Sequence, residues 1–130
     1  MFIMISSVAI GGAIGASLRF LSTYYIAAIW GNLFPYGTMA VNVIGSIIMG
    51  ILFVIFTEKL KLVDGEFEHL RGLLMTGLLG GFTTFSAFSL DAMQLIERQA
   101  YQSAFVYIIL SVLLSISGLI LAIYLTRSLS

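Results

Sequence analysis

"GLLGGFTTFSAFSLD", Gly77 to Asp91, decides how this chain folds. It lies in a run, Gly72 to Ile96, whose only charge is Asp91. A run of that kind reads as a helix crossing a bilayer, which needs ~20 mostly apolar residues. Yet its middle holds Gly77, Gly80 and Gly81, then Thr83, Thr84 and Ser86 interleaved with Phe82, Phe85 and Phe88. Each glycine weakens a helix by about 1 kcal/mol relative to alanine, and hydroxyls gain nothing from lipid. Irregular backbone at membrane depth is tolerated only where it is buried in protein or lines a cavity. The density of breakers therefore predicts a broken helix near the bilayer midplane rather than a kinked, continuous one. Such a break exposes free carbonyls at one half and free N–H groups at the other, and both bind ions.

The composition asks for the same solvent. Of 130 residues, 60% are hydrophobic and 9% charged, with a formal net charge of zero, and the mean hydropathy is +1.10. A soluble domain is about 25% charged. The length suits one domain, residues 1–130. There are no cysteines, which excludes disulfides and thiolate metal sites. The six basic residues are scattered singly, so no patch for nucleic acid exists. The N-terminal stretch "MFIMISSVAIGGAIGASLRF" lacks the positive region of a signal peptide, and its apolar run is long for one, so a retained first span is expected.

Working outward, four spans are expected at about 2–24, 38–56, 72–96 and 104–125, which makes an all-α membrane protein. Tyr24, Tyr25, Trp30 and Tyr36 fall between the first two, where an interfacial aromatic belt sits, and Pro35 precedes the second. The connection Thr57 to Arg71 is polar, with a turn signal at Asp64-Gly65. Lys59, Lys61, Arg71 and Arg127 fall on one side of the membrane, against Arg19 and Arg98 on the other. So weak a bias permits insertion both ways, and with it an antiparallel dimer of identical chains. Four short helices have little interior, so a second copy is the natural source of walls for any pathway.

The polar residues line up at helical spacing. Gly11 and Gly15 share a side of the first span, and Thr38, Asn42, Gly45 and Met49 form a stripe on the second. Tyr107, Ser111 and Ser115 form an i, i+4, i+8 ladder on the fourth, extended by Gly118. Gly11, Gly15, Ser46, Gly50 and Gly118 read first as packing residues that let helices approach closely. Asn42 must face inward, because a carboxamide in lipid needs partners, and both structural and functional roles stay open for it. The ladder, taken alone, reads as an interhelical hydrogen-bonding seam. Phe85 and Phe88, at i, i+3, share one face of the second half of the third span. Simple apolar filling is the bland reading. The sharper one uses the positive edges of the rings as weak contacts for a small anion.

At these residues the sequence resembles the Fluc (CrcB) fluoride channel family. The likeness is carried by "GGAIGASLRF", "GTMAVNVIGSIIMG" and "GLLGGFTTFSAF" in the first three spans, and by the tyrosine–serine ladder of the fourth. The resemblance implies an antiparallel, dual-topology homodimer with two fluoride pores in a bacterial inner membrane. It implies that Phe85 and Phe88 contact fluoride, from opposite subunits in each pore. Asn42, Tyr107, Ser111 and Ser115 match the family's pore lining, and Arg19 its vestibule arginine. Gly80 and Thr83 match positions whose main-chain carbonyls hold a sodium ion at the dimer interface. Ala87 departs from the family's "FSTF" version, in which a threonine adds a hydroxyl beside the rings.

The residues agree with this assignment. An anion that must also leave needs donors without a fully charged trap. The Asn42 amide, serine hydroxyls and ring edges are such donors, and Arg19 at a mouth would concentrate anions. A small multidrug transporter is the main alternative, but it needs a carboxylate in the first span, and this one has none. A proton-coupled fluoride antiporter is nearer in substrate, and the single four-helix unit favours a channel over it. A purely structural subunit would explain the small-residue seams but not the phenylalanine pair. No enzyme is expected. His69 is the only histidine, beside Glu68 in the polar loop, and with no cysteine it makes no convincing metal site. Asp64, Glu66 and Glu68 read as a solvated face.

Overall fold

A computed structural model describes residues 1–60 and 67–129. The expected turn at Asp64-Gly65 lies outside these residues, as do Lys61 and Glu66. The described residues are helical, with four segments long and apolar enough to cross a membrane. Helix α1 is Phe2–Trp30. Helix α2 is Tyr36–Val54, continued by a π-helical turn, Ile55–Lys59. The third span comes in two parts. Its first part, α3, starts as Glu68–Arg71, widens into a π-helix over Gly72–Leu79 and closes with Gly80–Phe82. Its second part, α4, is Phe85–Glu97. Helix α5 is Tyr101–Ser128.

Helix α1 runs past the expected end at 24 because no breaker stands before Gly31, whose φ of 86° suits glycine. Tyr24, Tyr25 and Trp30 therefore sit on the last turns of α1 rather than in a loop. Pro35 takes the N-cap position of α2, just before its first helical residue.

Packing is dominated by two seams, α1 against α3 and α2 against α5. Lipid tails are as apolar as leucine, so such seams depend on close van der Waals fit rather than on escape from water. On α1, a Cβ at Gly11 would collide with the Leu73 carbonyl, and one at Gly15 with the Leu78 carbonyl. From the other side, Gly72 faces Met4, Gly77 faces the Val8 carbonyl, and Gly81 faces the Gly12 carbonyl. The spacing is four along α1, but along α3 it is five from Gly72 to Gly77 and four from Gly77 to Gly81. In an α-helix, five residues overshoot one turn by roughly 140°, which would swing Gly72 away from Gly77. The i→i+5 bonding of a π-helix reduces that mismatch and keeps both glycines on α1. The π-helix is thus the register that lets two backbones touch along their length. Between α2 and α5, a Cβ at Gly50 would lie 2.6 Å from the Leu119 carbonyl, so Gly50 has the packing role its spacing implied.

The ends are tied by polar contacts. Helix α4 ends in a Schellman motif, with Gln99 N–H donating to Ile96 C=O at 2.9 Å and Ala100 N–H to Leu95 C=O at 2.9 Å. Gln99 holds the left-handed position at φ 61°. Arg98 Nη2 donates to Leu33 C=O at 2.8 Å, joining this corner to the α1–α2 loop. At the opposite end Arg127 pairs with Glu58 at 2.8 Å, both side chains well exposed, so the pair contributes about 0–1 kcal/mol.

Gly15→Ala is expected to destabilise the chain by about 1–3 kcal/mol, because its methyl would overpack against backbone atoms of α3. Gly12→Ala on the same helix is the control, since its Cβ would meet only Gly77 C=O, at 3.9 Å. Thermal unfolding in detergent separates the two, and equal midpoints would refute the backbone seam.

Candidate functional site

The third span breaks where the sequence predicts. Thr83 (φ −88°, ψ 155°) and Thr84 (φ −153°, ψ 118°) are both extended. Interrupting a helix frees carbonyls on one side and N–H groups on the other, and inside a membrane each needs a partner. Side chains from three spans supply many of them. Thr83 turns back, donating N–H and Oγ1–H to Leu79 C=O at 3.0 and 2.9 Å. Thr84 caps α4, its Oγ1 accepting from Ala87 N–H at 3.1 Å and sharing a hydrogen bond with Ser86 at 3.2 Å. Asn42 of α2 meets Thr84 at two points. Its Oδ1 accepts from Thr84 N–H at 2.7 Å, and its Nδ2 donates to Thr84 C=O at 3.0 Å. Arg19 of α1 donates Nε–H to Gly81 C=O at 3.0 Å.

The break frees four carbonyls, those of Gly80, Gly81, Phe82 and Thr83. In a continuous helix Thr84 N–H would serve Gly80 C=O, and Ala87 N–H would serve Thr83 C=O. Here the first amide goes to Asn42 and the second to the Thr84 hydroxyl. Gly80 and Thr83 are thus the residues whose helical donors have been captured by side chains. Among the described residues no cluster of histidine, cysteine or carboxylate could hold a metal.

Beside the break lies a cleft of about 420 Å³ between α2, α4 and α5. Asn42, Ser46 and Met49 line it from α2, Phe85 and Phe88 from α4, and Ser111 and Ser115 from α5. Ser7, Ser17, Ser46 and Ser89 each donate back to the carbonyl four residues earlier, the usual resting place of a helical serine. Ser111 does not. It is 5% exposed, and its hydroxyl has no partner. A buried polar group left unpaired costs ~1–3 kcal/mol, so this hydroxyl marks a place where a ligand would be welcome.

The two phenylalanines are unequal. Phe85 is 77% exposed and Phe88 only 9%, with ring centroids 5.4 Å apart and planes tilted by 48°. Phe88 is backed by Tyr107 at 5.2 Å, and Tyr107 meets Phe34 in a perpendicular contact at 5.6 Å. Tyr107 itself is fully buried, and its hydroxyl donates to Asp91 Oδ2 at 3.1 Å. The ladder Tyr107–Ser111–Ser115 is therefore split: the serines reach the cleft, while Tyr107 stands behind it as a support for Phe88. Arg19, expected at a vestibule, donates to the Gly81 carbonyl beside the break. Ser46, read first as a packing residue, lines the cleft. Thr84 adds a capping role beyond the residues expected for the site, and a threonine just before an apolar helical run is the sequence signal for one.

Comparison with known proteins places the chain among named relatives. The family described as "CrcB-like protein, Camphor Resistance (CrcB)" matches residues 6–123. A protein of Cereibacter sphaeroides named "Fluoride-specific ion channel FluC" is 50% identical over 119 residues, covering 89% of this chain and 90% of its own. Proteins of the same name from a Ruegeria species and a Roseiflexus species are 46% and 44% identical, over 98% and 90% of this chain and 97% and 91% of their own.

Ser111→Ala is expected to leave stability unchanged or raise it by about 1 kcal/mol, because it removes a buried, unpartnered hydroxyl. Tyr107→Phe is expected to lower it, since Asp91 loses its donor. Thermal unfolding in halide-free detergent tests both, and a destabilised Ser111→Ala would mean that the hydroxyl already has a partner.

Proposed function

The chain belongs to the CrcB family, and on that premise we propose that it is a fluoride-specific ion channel, a multi-pass protein of the bacterial inner membrane that lets fluoride leave down its gradient. It is a channel and not an enzyme. The observation that carries the reading to particular residues is the unpartnered Ser111 hydroxyl on a cleft shared with Asn42, Phe85 and Phe88. This donor set holds no formal charge. It would replace the water around a small anion piecemeal, with a hydroxyl, an amide N–H and ring edges, and would still release it. Ser115 extends the lining along α5. Arg19, close by at Gly81, adds a positive field that raises the local anion concentration.

A second copy of the chain completes the site in this reading. Phe85 is 77% exposed beside its buried neighbour, which leaves one ring without a wall. The weak bias of the basic residues, four against two, permits insertion in both orientations, and with it an antiparallel homodimer. Two breaks crossing at the centre would bring the Gly80 and Thr83 carbonyls of both chains together. Carbonyl oxygens suit a hard cation such as sodium, and the capture of their helical donors supports them as its ligands. A bound sodium would supply a fixed charge that braces the interface.

Purified chain in liposomes is expected to release fluoride only when valinomycin supplies a potassium shunt, and to release little chloride. Stoichiometric proton exchange in place of electrogenic flow would favour an antiporter and overturn the channel. Phe85→Ile and Phe88→Ile should each lower fluoride flux by about tenfold, the equivalent of ~1.5 kcal/mol of ring-specific contact. Phe82→Ile, off the cleft, should conduct like the parent, and equal damage at all three positions would reduce the rings to packing. Cysteines placed at the C-terminus should label from both faces of the membrane. One-sided labelling would reject dual topology. Removal of sodium should weaken the dimer, and an undiminished dimer in verified sodium-free buffer would rule out the cation.

A further inference from the structure

We infer that Asn42 is a clamp that holds the third span broken, and that its effect on the channel runs through the backbone of Thr84 as well as through the anion. The inference builds on the channel reading for its flux arm alone. Its first support is the two-point contact. Thr84 is fully extended, and a carboxamide that accepts from its N–H at 2.7 Å and donates to its C=O at 3.0 Å makes the pair of bonds that a neighbouring β-strand would make. One amide hydrogen of Asn42 is spent on that carbonyl, which leaves the other for the cleft.

The second support is independent. Gly45, one turn along α2, lies against the methyl of Thr83, and a Cβ there would collide with it. Helix α2 therefore grips both extended residues, one by hydrogen bonds and one by fit. What the grip prevents is definite. If Thr84 turned helical, its N–H would return to Gly80 C=O and Ala87 N–H to Thr83 C=O, and α3 would join α4. An extended residue advances about 3.3 Å and a helical one 1.5 Å. Closing both residues would draw α4 along the span by roughly 3–4 Å and rotate it, carrying Phe85 and Phe88 out of register with Ser111. The same closure would cover the two carbonyls proposed for the cation. Asn42 is thus a positioning residue for the anion site and for the cation site together.

The test reads the backbone directly. In labelled, assembled protein the Thr84 Cα chemical shift should be extended in the parent and move toward the helical value in Asn42→Ala. Ser111→Ala, on the same cleft, should leave it unchanged. Fluoride flux should fall by about tenfold or more in Asn42→Ala. Loss of flux with an unmoved Thr84 shift would overturn the clamp and leave Asn42 acting on the anion alone. Should the alanine variant fail to assemble, the parent still decides, since Thr84 N–H must exchange slowly although it lies outside any helix. A fast-exchanging Thr84 amide overturns the inference. The shift and exchange measurements need no transport. A parent that carries no fluoride would therefore sink the channel reading without touching the clamp.

Discussion

A backbone amide inside a bilayer has no water to fall back on, and the architecture of this chain follows from how it meets that demand at Thr83 and Thr84. Opening a helix at membrane depth is affordable only where other side chains stand in for the lost partners. Arg19 comes from α1, Asn42 from α2, and the two threonines serve from within the break. Three spans thus converge on one interruption. Few strongly polar side chains lie within the spans, and two of them, Arg19 and Asn42, are spent there. The remaining embedded charge, Asp91, is held by Tyr107.

That convergence needs backbones close together, which explains the small residues. Arginine at position 19 reaches Gly81 because Gly11 and Gly15 let α1 lie against α3. Asn42 reaches Thr84 because Gly45 leaves room for Thr83. The glycines do not form the site, but they set the distances at which its polar groups can meet. The aromatic side is built differently. Phe34, Tyr107 and Phe88 form a chain of edge-on and tilted ring contacts leading to the cleft, and Phe85 continues it.

Much of this is legible in the sequence because membrane helices declare themselves. Apolar runs give the spans, and the cluster around Gly80 to Thr84 gives the break, since both depend on local composition. Features that depend on partners are less visible. Tyr107 shares a helix face with Ser111 and Ser115, yet Asp91, sixteen residues earlier, draws its hydroxyl away from them. Arg19 reads as a mouth residue, and the carbonyl it serves, at Gly81, is visible only in the fold. The Schellman turn is hidden because Gln99 fills a position where glycine is the usual signal. The aromatic belt does not reveal where α1 ends, because tyrosine and tryptophan mark depth in the membrane, not the end of a helix. The π-helix did leave a trace: Gly72 and Gly77 are five apart, where α-helical packing would ask for three or four.

The π-helical stretch Gly72–Leu79 also bears on how such a chain tolerates changes of length. Losing one residue from an ordinary helix turns everything beyond it by about 100° and would misdirect every downstream contact. A wide turn is a reserve of one residue. Deletion between Gly72 and Gly77 would convert their spacing from five to four, and tightening to an α-helix would absorb the loss, with Gly77, Gly81 and the break keeping their facing toward α1. Deletions in this span are therefore not equivalent everywhere. One residue can be lost between Gly72 and Gly77, where the helix has slack to give back, and not between Thr83 and Ala87, where Asn42 and the Thr84 hydroxyl hold particular backbone groups.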